Sequence, residues 1–326
     1  METGRPTTPA AEEILGRYFP VLDHGFVSLV DYMGSDEDVE RAARVSYGYG
    51  TRKTSATRGL IRYLRRHRHT TPSEMVEFKF HCAMPIFIAR QWIRHRTASV
   101  NEYSGRYSLL PLLFYTPDVE QLQAQSATNR QGRSGDRLDA LHPEAVERWE
   151  RLRREASSGY EWLVEQDVAR ELARIDLPLS VYTQWYWKID LHNLLHFLSL
   201  RADPHAQYEI RAYARVMAGM VERVAPLSFE AWVDYQYGGA QLSRGELVAL
   251  QRLVRVEDDA LVGADTRLAR SDLEASGLAR REVDELLAKL AAPPRPADFT
   301  LDVAGSKSAE EFERRMAEAV PRIDRP

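Results

Sequence analysis

Cysteine is almost missing from the sequence, which has only Cys82 among 326 residues. A single cysteine cannot form an internal disulfide bond, and it cannot build a cysteine-based zinc site. The residues around Cys82 alternate between apolar and polar types, which predicts a small buried thiol. The sequence therefore predicts a protein without a disulfide framework or a cysteine-ligated metal.

Long apolar runs and an excess of positive charge are also missing. No segment approaches the roughly 18 apolar residues that a membrane-spanning helix needs, and the N-terminus lacks the charged and apolar regions of a signal peptide. We therefore expect a cytoplasmic protein that does not enter membranes. The net charge of −4 argues against a general nucleic-acid binder. A basic pocket within an acidic protein still suits small anionic substrates.

What the sequence does contain is a polar run, RHRTASVNEYSGR, from Arg94 to Arg106. Guanidinium groups and hydroxyls match phosphate and carbonyl oxygens in geometry, so the run is a candidate anion site. Arginine-rich segments are often solvated loops. Here, however, Pro85 starts a predicted helix with Ile86, Ala89 and Ile93 on one side, which would anchor the run.

The apolar pattern predicts alternating helices and strands. Strands are expected at 26–33, 76–82 and 181–189, with a possible edge strand at 109–115. Helices are expected from 35, at 57–66, from about 143 with a resumption after 157–159, at 191–201 and from 203 to 224. Residues 120–141 lack apolar periodicity and predict an exposed, mobile insertion.

The chain predicts three parts. Residues 1–25 read as an N-terminal tail, 26–242 as the catalytic domain, and 243–326 as an extension of short charged helices. Capping boxes are predicted in the extension at Ser243/Glu246, Ser271/Glu274 and Ser308/Glu311. We expect a structural or interface role for the extension, with a separate binding module as the alternative.

The polar run resembles the signature of flavin-dependent thymidylate synthases. Eight positions of the pattern R-H-R-x-x-S-x-N-E-x-S-x-R match, namely Arg94, His95, Arg96, Ser99, Asn101, Glu102, Ser104 and Arg106. Segments 69–74, 173–178 and 200–210 are similar to other family segments and follow in the family order. The resemblance covers about Val27 to Tyr237. Met75 departs from it, since many members have histidine there.

The resemblance implies both a fold and a reaction. The fold is α+β, with a central, mostly antiparallel sheet packed against long helices. The reaction makes dTMP from dUMP with 5,10-methylenetetrahydrofolate as the one-carbon donor, FAD as cofactor and NADPH as reductant. The family implies a homotetramer with active sites shared between subunits.

The resemblance also assigns residues to ligands. For FAD it implies contacts from Ser46, His69, Thr71, Arg94, His95, Arg96 and Glu102, with His192, Asn193 and His196 nearby. For dUMP it implies Gln91, Glu102, Ser104, Gly105, Arg106, Arg174 and Arg201. Catalytic roles are expected for Arg201, Ser104 and His69.

Residue chemistry agrees with these roles. Arg106 and Arg174, helped by Gln91, could hold the nearly dianionic phosphate of a nucleotide. Arg201 could polarise the uracil ring and favour hydride addition at C6. For Ser104 we expect an orienting hydroxyl, with a covalent nucleophile as the alternative, because no Ser/His/Asp order is evident.

Three further alternatives remain open at the level of sequence. His69 is either structural or close to the flavin and folate. His192 and His196 have the spacing of a metal pair but no third ligand, so we expect no metal. The protein could also be a nucleic-acid binder, or a flavoprotein that has lost methyl transfer.

Overall fold

The computed structural model describes residues 6–45, 57–127, 132–257, 260–263, 267–293 and 295–322. The chain forms two compact units, one made of Met1–Ala231 with Phe299–Pro326 and the other of Trp232–Asp298. These compact units divide the chain at other positions than the predicted parts 1–25, 26–242 and 243–326, which stay a prediction about domains. The last part of that extension returns to the first unit.

The strands are β1 (Tyr18–Val21), β2 (Gly25–Met33), β3 (Glu77–Pro85), β4 (Ser99–Glu102), β5 (Gln123–Gln125), β6 (Arg133–Arg137), β7 (Tyr182–Asp190), β8 (Val254–Glu257) and β9 (Ala260–Gly263). The helices are α1 (Pro9–Glu12), α2 (Asp36–Val45), α3 (Thr57–Arg66), α4 (Ile86–Trp92), α5 (His142–Glu165), α6 (Arg170–Ala173), α7 (Leu191–Arg201), α8 (Tyr208–Val224), α9 (Pro226–Trp232), α10 (Arg244–Gln251), α11 (Arg270–Ala275), α12 (Arg280–Ala291) and α13 (Ala309–Glu318).

The first unit is built on a sheet with strand order β1-β2-β3-β7-β4. All its neighbouring strands are antiparallel, which confirms the predicted sheet type. In β3, Phe78, Phe80 and Cys82 are fully buried, whereas the residues between them are only partly buried. This alternation is the expected result of side chains that project to opposite faces of a strand.

Helices α4, α7 and α8 cover one face of this sheet. Trp92 of α4 lies 5.3 Å from the ring of Trp187 on β7 and 5.1 Å from that of Phe197 on α7, measured between centroids. Tyr213 of α8 donates a 2.9 Å hydrogen bond to the carbonyl oxygen of Ala83 on β3. Aromatic packing of this kind fixes α4 and α7, the two helices that carry the predicted site.

The N-terminal segment is not a tail over its described part. Residues 18–21 form the outermost strand of the sheet, and Ala11 and Ile14 are fully buried. Helix α13 packs against the same region, where the ring of Phe312 lies 4.2 Å from that of Phe26. The sequence obscured this because the burial depends on a partner segment almost 300 residues away.

Four local predictions differ from the structure. Residues 109–115 form no strand, since only Phe114 makes an isolated bridge, to Val181. Residues 123–125 and 133–137 of the predicted insertion pair as a hairpin. Helix α5 continues through 157–159 without a break, and α8 begins only at Tyr208 because Ala206 closes a turn onto Asp203.

The second unit contains α10, the β8–β9 hairpin, α11 and α12. Its core consists of Ala249, Leu273, Leu278, Val283 and Leu286. The capping box of Ser243 and Glu246 is confirmed. The box predicted at Ser271/Glu274 is wrong, because α11 begins two residues earlier, with Ala269 as its N-cap, and Asp272 accepts from the backbone N–H of Ala269 at 2.7 Å.

At Ser308, in the first unit, the side chain accepts from the N–H of Glu311 at 3.4 Å, which confirms the N-cap of α13. None of the described helices is both long and apolar enough to cross a membrane.

Candidate active site

Helix α4 carries the first half of the signature to the end of the sheet. Pro85 has an extended backbone as the last residue of β3 and serves as the N-cap of α4. The backbone N–H of Ile86 donates to the carbonyl of Val181, which ties the helix start to the sheet. The short helix buries Trp92 and leaves Gln91 partly exposed, so the chain emerges at Arg94 as a surface loop.

Arg201, at the end of α7, is held by that loop. Its Nε donates to Nε2 of His95 at 3.0 Å, and one terminal nitrogen lies 3.5 Å from the carbonyl oxygen of Gln91. Burial, then the charges of Arg201 and His196, lower the pKa of His95 to about 4. A neutral imidazole nitrogen can accept from a guanidinium, so the two side chains fix each other's orientation.

The start of α7 forms a second polar group. The carboxylate of Asp190 caps the helix, accepting from the N–H of Asn193 at 2.9 Å and from its side-chain amide at 2.6 Å. Asp190 is therefore the N-cap of α7. Nδ1 of His192 is buried and has no hydrogen-bond partner in the described structure. Burial, followed by the charge of Arg65, lowers the pKa of His192. An orphaned ring nitrogen of this kind is a candidate ligand contact.

His69 and Thr71 lie on the connection between α3 and β3. The backbone N–H of His69 donates to Leu64, and the imidazole stacks on Tyr63 with centroids 6.0 Å apart. Both His69 and Thr71 are exposed, Thr71 at the start of a 3₁₀ turn over Thr71–Met75. That turn packs against α7, so His69 is near the second polar group. Ser46 lies outside the described residues.

The second half of the signature forms a tight turn after β4. The backbone N–H groups of Tyr107 and Ser108 both donate to the carbonyl of Ser104 at 3.1 Å. A Cβ atom on Gly105 would meet the side chain of Leu110 at 3.0 Å and Cδ of Arg174 at 3.2 Å, so only glycine fits there without a shift. The turn therefore brings Ser104, Gly105 and Arg174 of one chain together.

Among the described residues, Ser104 has no catalytic base beside it. Its Oγ accepts from the backbone N–H of Arg106 at 3.3 Å, and no histidine or carboxylate in the described residues hydrogen-bonds to it. Glu102, two residues earlier, instead accepts from the buried hydroxyl of Thr183 at 2.8 Å. These contacts favour an orienting hydroxyl over a nucleophile.

The two halves of the signature lie at opposite ends of β4. The sequence analysis gave no strand here, yet residues 99–102 pair with β7 as the edge of the sheet. Four residues of extended chain span about 10 Å. Within the described residues, no hydrogen bond or ion pair joins the group around Arg201 to the group around Arg174.

Several arginines of these groups are available to bind anions. Neither Arg94, Arg96 nor Arg174 makes an ion pair or a side-chain hydrogen bond with any described residue. Arg106 pairs with Glu171 at 3.1 Å, but both side chains are more than half exposed, so the contact is weak. Unpaired guanidinium groups beside a glycine turn suit a phosphate.

A cavity of ≈ 880 Å³ opens beside Gln91 and Arg201. The turn before α8 and the β5–β6 hairpin form its other walls, through Gln121, Gln123, Ala124, Gln125, Gly132, Arg133, Ser134, Gly135, Pro204, His205, Ala206, Gln207, Tyr208 and Arg211. The sequence analysis missed these walls. In the sequence, the available signal for these walls was Glu209, a carboxylate between the apolar residues Tyr208 and Ile210 at the start of α8.

Cys82 is fully buried in β3, and burial raises the pKa of its thiol. This confirms the predicted inert thiol, because a neutral thiol without access to solvent is a poor nucleophile. In the described part of the chain, no cluster of three or more His, Cys, Asp and Glu side chains is placed to hold a metal ion.

Fold and site together define an α+β protein with a cluster of cationic side chains at the edge of an antiparallel sheet. Comparison with known families gives the particular group. The family model "Thymidylate synthase complementing protein" matches residues 28–227. The chain therefore belongs to the flavin-dependent thymidylate synthase family.

Proteins named flavin-dependent thymidylate synthase are similar over most of the chain. The relative from Gluconobacter oxydans is 54% identical, across 88% of this chain and 92% of its own length. The relative from Wolbachia pipientis wMel is 50% identical, across 88% and 97%. The resemblance stated from the signature is confirmed.

A solved structure shares the fold. The UMP/dUMP methylase PolB from Streptomyces cacaoi, bound with 5-Br dUMP, is 35% identical with a TM-score of 0.61. The match covers 67% of this chain and 98% of PolB. The predicted fold class is thus confirmed, and the shared region is about two thirds of the chain.

Proposed function

We propose that this protein converts dUMP to dTMP, with 5,10-methylenetetrahydrofolate as the one-carbon donor and NADPH as the reductant. In the balanced reaction the donor's methylene carbon becomes the methyl group on C5 of uracil. NADPH supplies a hydride, a solvent proton is taken up, and tetrahydrofolate and NADP⁺ are released. We also predict that the reaction takes place in the cytoplasm.

One observation carries the proposal. The family signature folds into two cationic groups at opposite ends of β4, while the only cysteine is sealed in the sheet. Such a site can bind an anionic nucleotide but has no enzyme thiolate to attack its ring. The printed names of the relatives and of PolB agree, because both concern thymidylate or dUMP chemistry.

The residues near the start of α7 fit a flavin. His192 has an orphaned buried nitrogen, and Arg94 and Arg96 of the signature loop make no ion pair with a described residue. We propose that these side chains hold FAD, together with His69, Thr71, His95, Glu102, Asn193 and His196. When bound, FAD supplies the redox step by passing on the hydride received from NADPH.

For dUMP we propose that Arg106, Arg174 and the Ser104–Gly105 turn hold the phosphate. The guanidinium groups would neutralise its charge, and Gly105 allows the backbone to approach closely. Arg201 is then free to face the uracil ring, because neutral His95 fixes its direction without competing for its charge. Negative charge that develops on the ring would be stabilised there.

We further propose that a complete site needs two subunits of a homotetramer. β4 separates the groups around Arg201 and Arg174, and no hydrogen bond or ion pair joins them among the described residues. One dUMP molecule could bridge an Arg201 group from one chain and an Arg174 group from another.

The test is release of tritium from [5-³H]dUMP by the purified protein. We expect release that depends on both methylenetetrahydrofolate and NADPH, and a yellow protein with flavin absorbance. Cys82→Ala should keep this activity, since the thiol takes no part. A yellow protein without tritium release would contradict methyl transfer and favour a flavoprotein of another activity. A colourless protein would contradict the flavin assignment itself.

A further inference from the structure

Glu209, near the start of α8, is a buried carboxylate with an unusual set of partners. Only 1% of its surface is exposed. One oxygen accepts from the hydroxyl of Tyr115 at 3.0 Å and from the guanidinium of Arg133 on β6. The other accepts from the side-chain amide nitrogen of Gln207 at 2.8 Å. Burying a carboxylate costs free energy of folding unless hydrogen-bond donors surround it, and all three of these partners are donors.

The carboxylate determines how Gln207 is oriented. A carboxylate only accepts hydrogen bonds, so Gln207 must turn its NH₂ group toward Glu209. Its carbonyl oxygen then faces the opposite way, and this oxygen accepts from the side-chain amide nitrogen of Gln91. The buried carboxylate of Glu209 thus fixes the orientation of the Gln207 amide, and through it the orientation of the Gln91 amide at the rim of the cavity.

The same constraint decides what Gln91 offers a ligand. Gln91 lines the ≈ 880 Å³ cavity together with Arg201, Gln207 and Arg133. With one amide hydrogen committed to Gln207, its carbonyl oxygen and one N–H remain available. Without Glu209, both glutamine amides could reverse, and Gln91 could present its NH₂ group in place of the carbonyl.

We infer that Glu209 is a positioning residue for nucleotide binding, which acts through Gln207 to fix the side-chain amide of Gln91. We call the chain of hydrogen bonds from Glu209 through Gln207 to Gln91 the relay. Arg133 belongs to it, because its guanidinium donates a hydrogen bond to the carboxylate of Glu209. The inference rests on the proposed function and on the contact between Gln91 and dUMP that the family resemblance implies. The residue that the inference adds, Glu209, does not itself touch the nucleotide. It is held by Arg133 of the β5–β6 hairpin.

The relay can be broken and then rebuilt with opposite polarity. Glu209→Gln introduces an NH₂ group that can face the NH₂ group of Gln207, so Gln207 is expected to reverse. The loss of one or two hydrogen bonds predicts a rise of about five- to tenfold in KM for dUMP. In the double variant Glu209→Gln/Gln207→Glu, residue 207 again accepts from Gln91, and KM should return toward the wild-type value. A role in stability alone predicts no such rescue.

Two further variants keep the test decisive. Gln207→Leu removes the relay at an exposed position, so it should raise KM with little change in Tm. Glu222→Gln on the exposed side of the same helix is the matched control, and its KM should equal that of the wild type. A wild-type KM in Glu209→Gln, or no recovery in the double variant, would overturn the relay. Wild-type protein without tritium release would instead overturn the proposed function.

Discussion

At the scale of single residues, the contact between Arg201 and His95 depends on an unprotonated histidine. Burial and the neighbouring charges of Arg201 and His196 hold the pKa of His95 at about 4. An unfolded chain would have a histidine pKa of about 6.5. The folded state therefore binds fewer protons than the unfolded state between these two values, and acid weakens the fold there.

A pH series tests this protonation state. The contribution of neutral His95 is fully present above pH 6.5 and is lost as the pH falls from 6.5 toward 4. We expect the free energy of unfolding, measured with urea at pH 7.5 and pH 5, to fall more in the wild type than in His95→Asn. Burial also lowers the pKa of His24, His81 and His192. These three histidines are present in both proteins, so their contributions cancel in the comparison. Equal losses would show that His95 is protonated in the fold.

Ser104 supports a second prediction at this scale. Its hydroxyl lies in the signature turn without a base, so Ser104→Ala should slow turnover without abolishing it. Loss of one orienting hydrogen bond predicts a decrease of about three- to thirtyfold in kcat for tritium release. An inactive alanine variant, together with a trapped covalent adduct between Ser104 and uracil, would point to a nucleophile.

At the scale of elements, two glycines inside helices have opposite surroundings. Gly159 lies in the middle of α5 with no atom within 4 Å of a built Cβ. On α8, a Cβ at Gly219 would lie 2.7 Å from Cγ of Leu301 and even closer to the carbonyl of Phe299. The segment after residue 298 therefore packs directly on the backbone of α8.

We expect Gly159→Ala to raise the free energy of unfolding by about 0.5–1 kcal/mol, because alanine restricts the unfolded chain and favours a helix. Gly219→Ala should lower it, since the added methyl group displaces residues 299–301. Urea unfolding of both variants measures the difference. A loss of stability in Gly159→Ala would indicate that α5 is interrupted at 157–159, as its sequence suggests.

The elements that the sequence predicted are those whose side chains alternate or repeat clearly. Helix α3 matches its predicted bounds, strands β2 and β7 lie within one residue of theirs, and β3 ends three residues beyond its predicted end. In contrast, β1 and β4 have only four residues each and are recognisable as strands only beside β2 and β7. Pairing with a distant strand decided their structure, and a single sequence gives little information about such partners.

The sequence likewise located one part of the candidate site and missed another. The signature and the end of α7 could be located from residue types, because arginine and histidine at those spacings have few roles in a core. The relay through Glu209 could not, since it joins Tyr115, Arg133 and Gln91 from three separate elements. Its only trace in the sequence is a carboxylate next to the buried Ile210.

At the scale of the whole molecule, the separated groups make a prediction about assembly. Mixing inactive Arg174→Ala with inactive Arg201→Ala should restore partial activity after subunit exchange. An intact site forms wherever the unchanged Arg201 group of one subunit adjoins the unchanged Arg174 group of another. Mixing Arg174→Ala with inactive Arg106→Ala should restore much less, since the turn that carries Arg106 touches Arg174 through Gly105 within one chain. Tritium release after verified exchange measures both. Equal results for the two mixtures would contradict this division of the site.

The return of the chain to its first unit has a consequence for biosynthesis. Phe312 and Met316 of α13 complete the cluster that contains Tyr18, Phe26 and Ala83. A ribosome makes the N-terminal strands first, yet their packing partner in α13 follows almost 300 residues later. The apolar surface of these strands therefore stays uncovered until α13 has been made, and in that interval it is exposed to association with other chains.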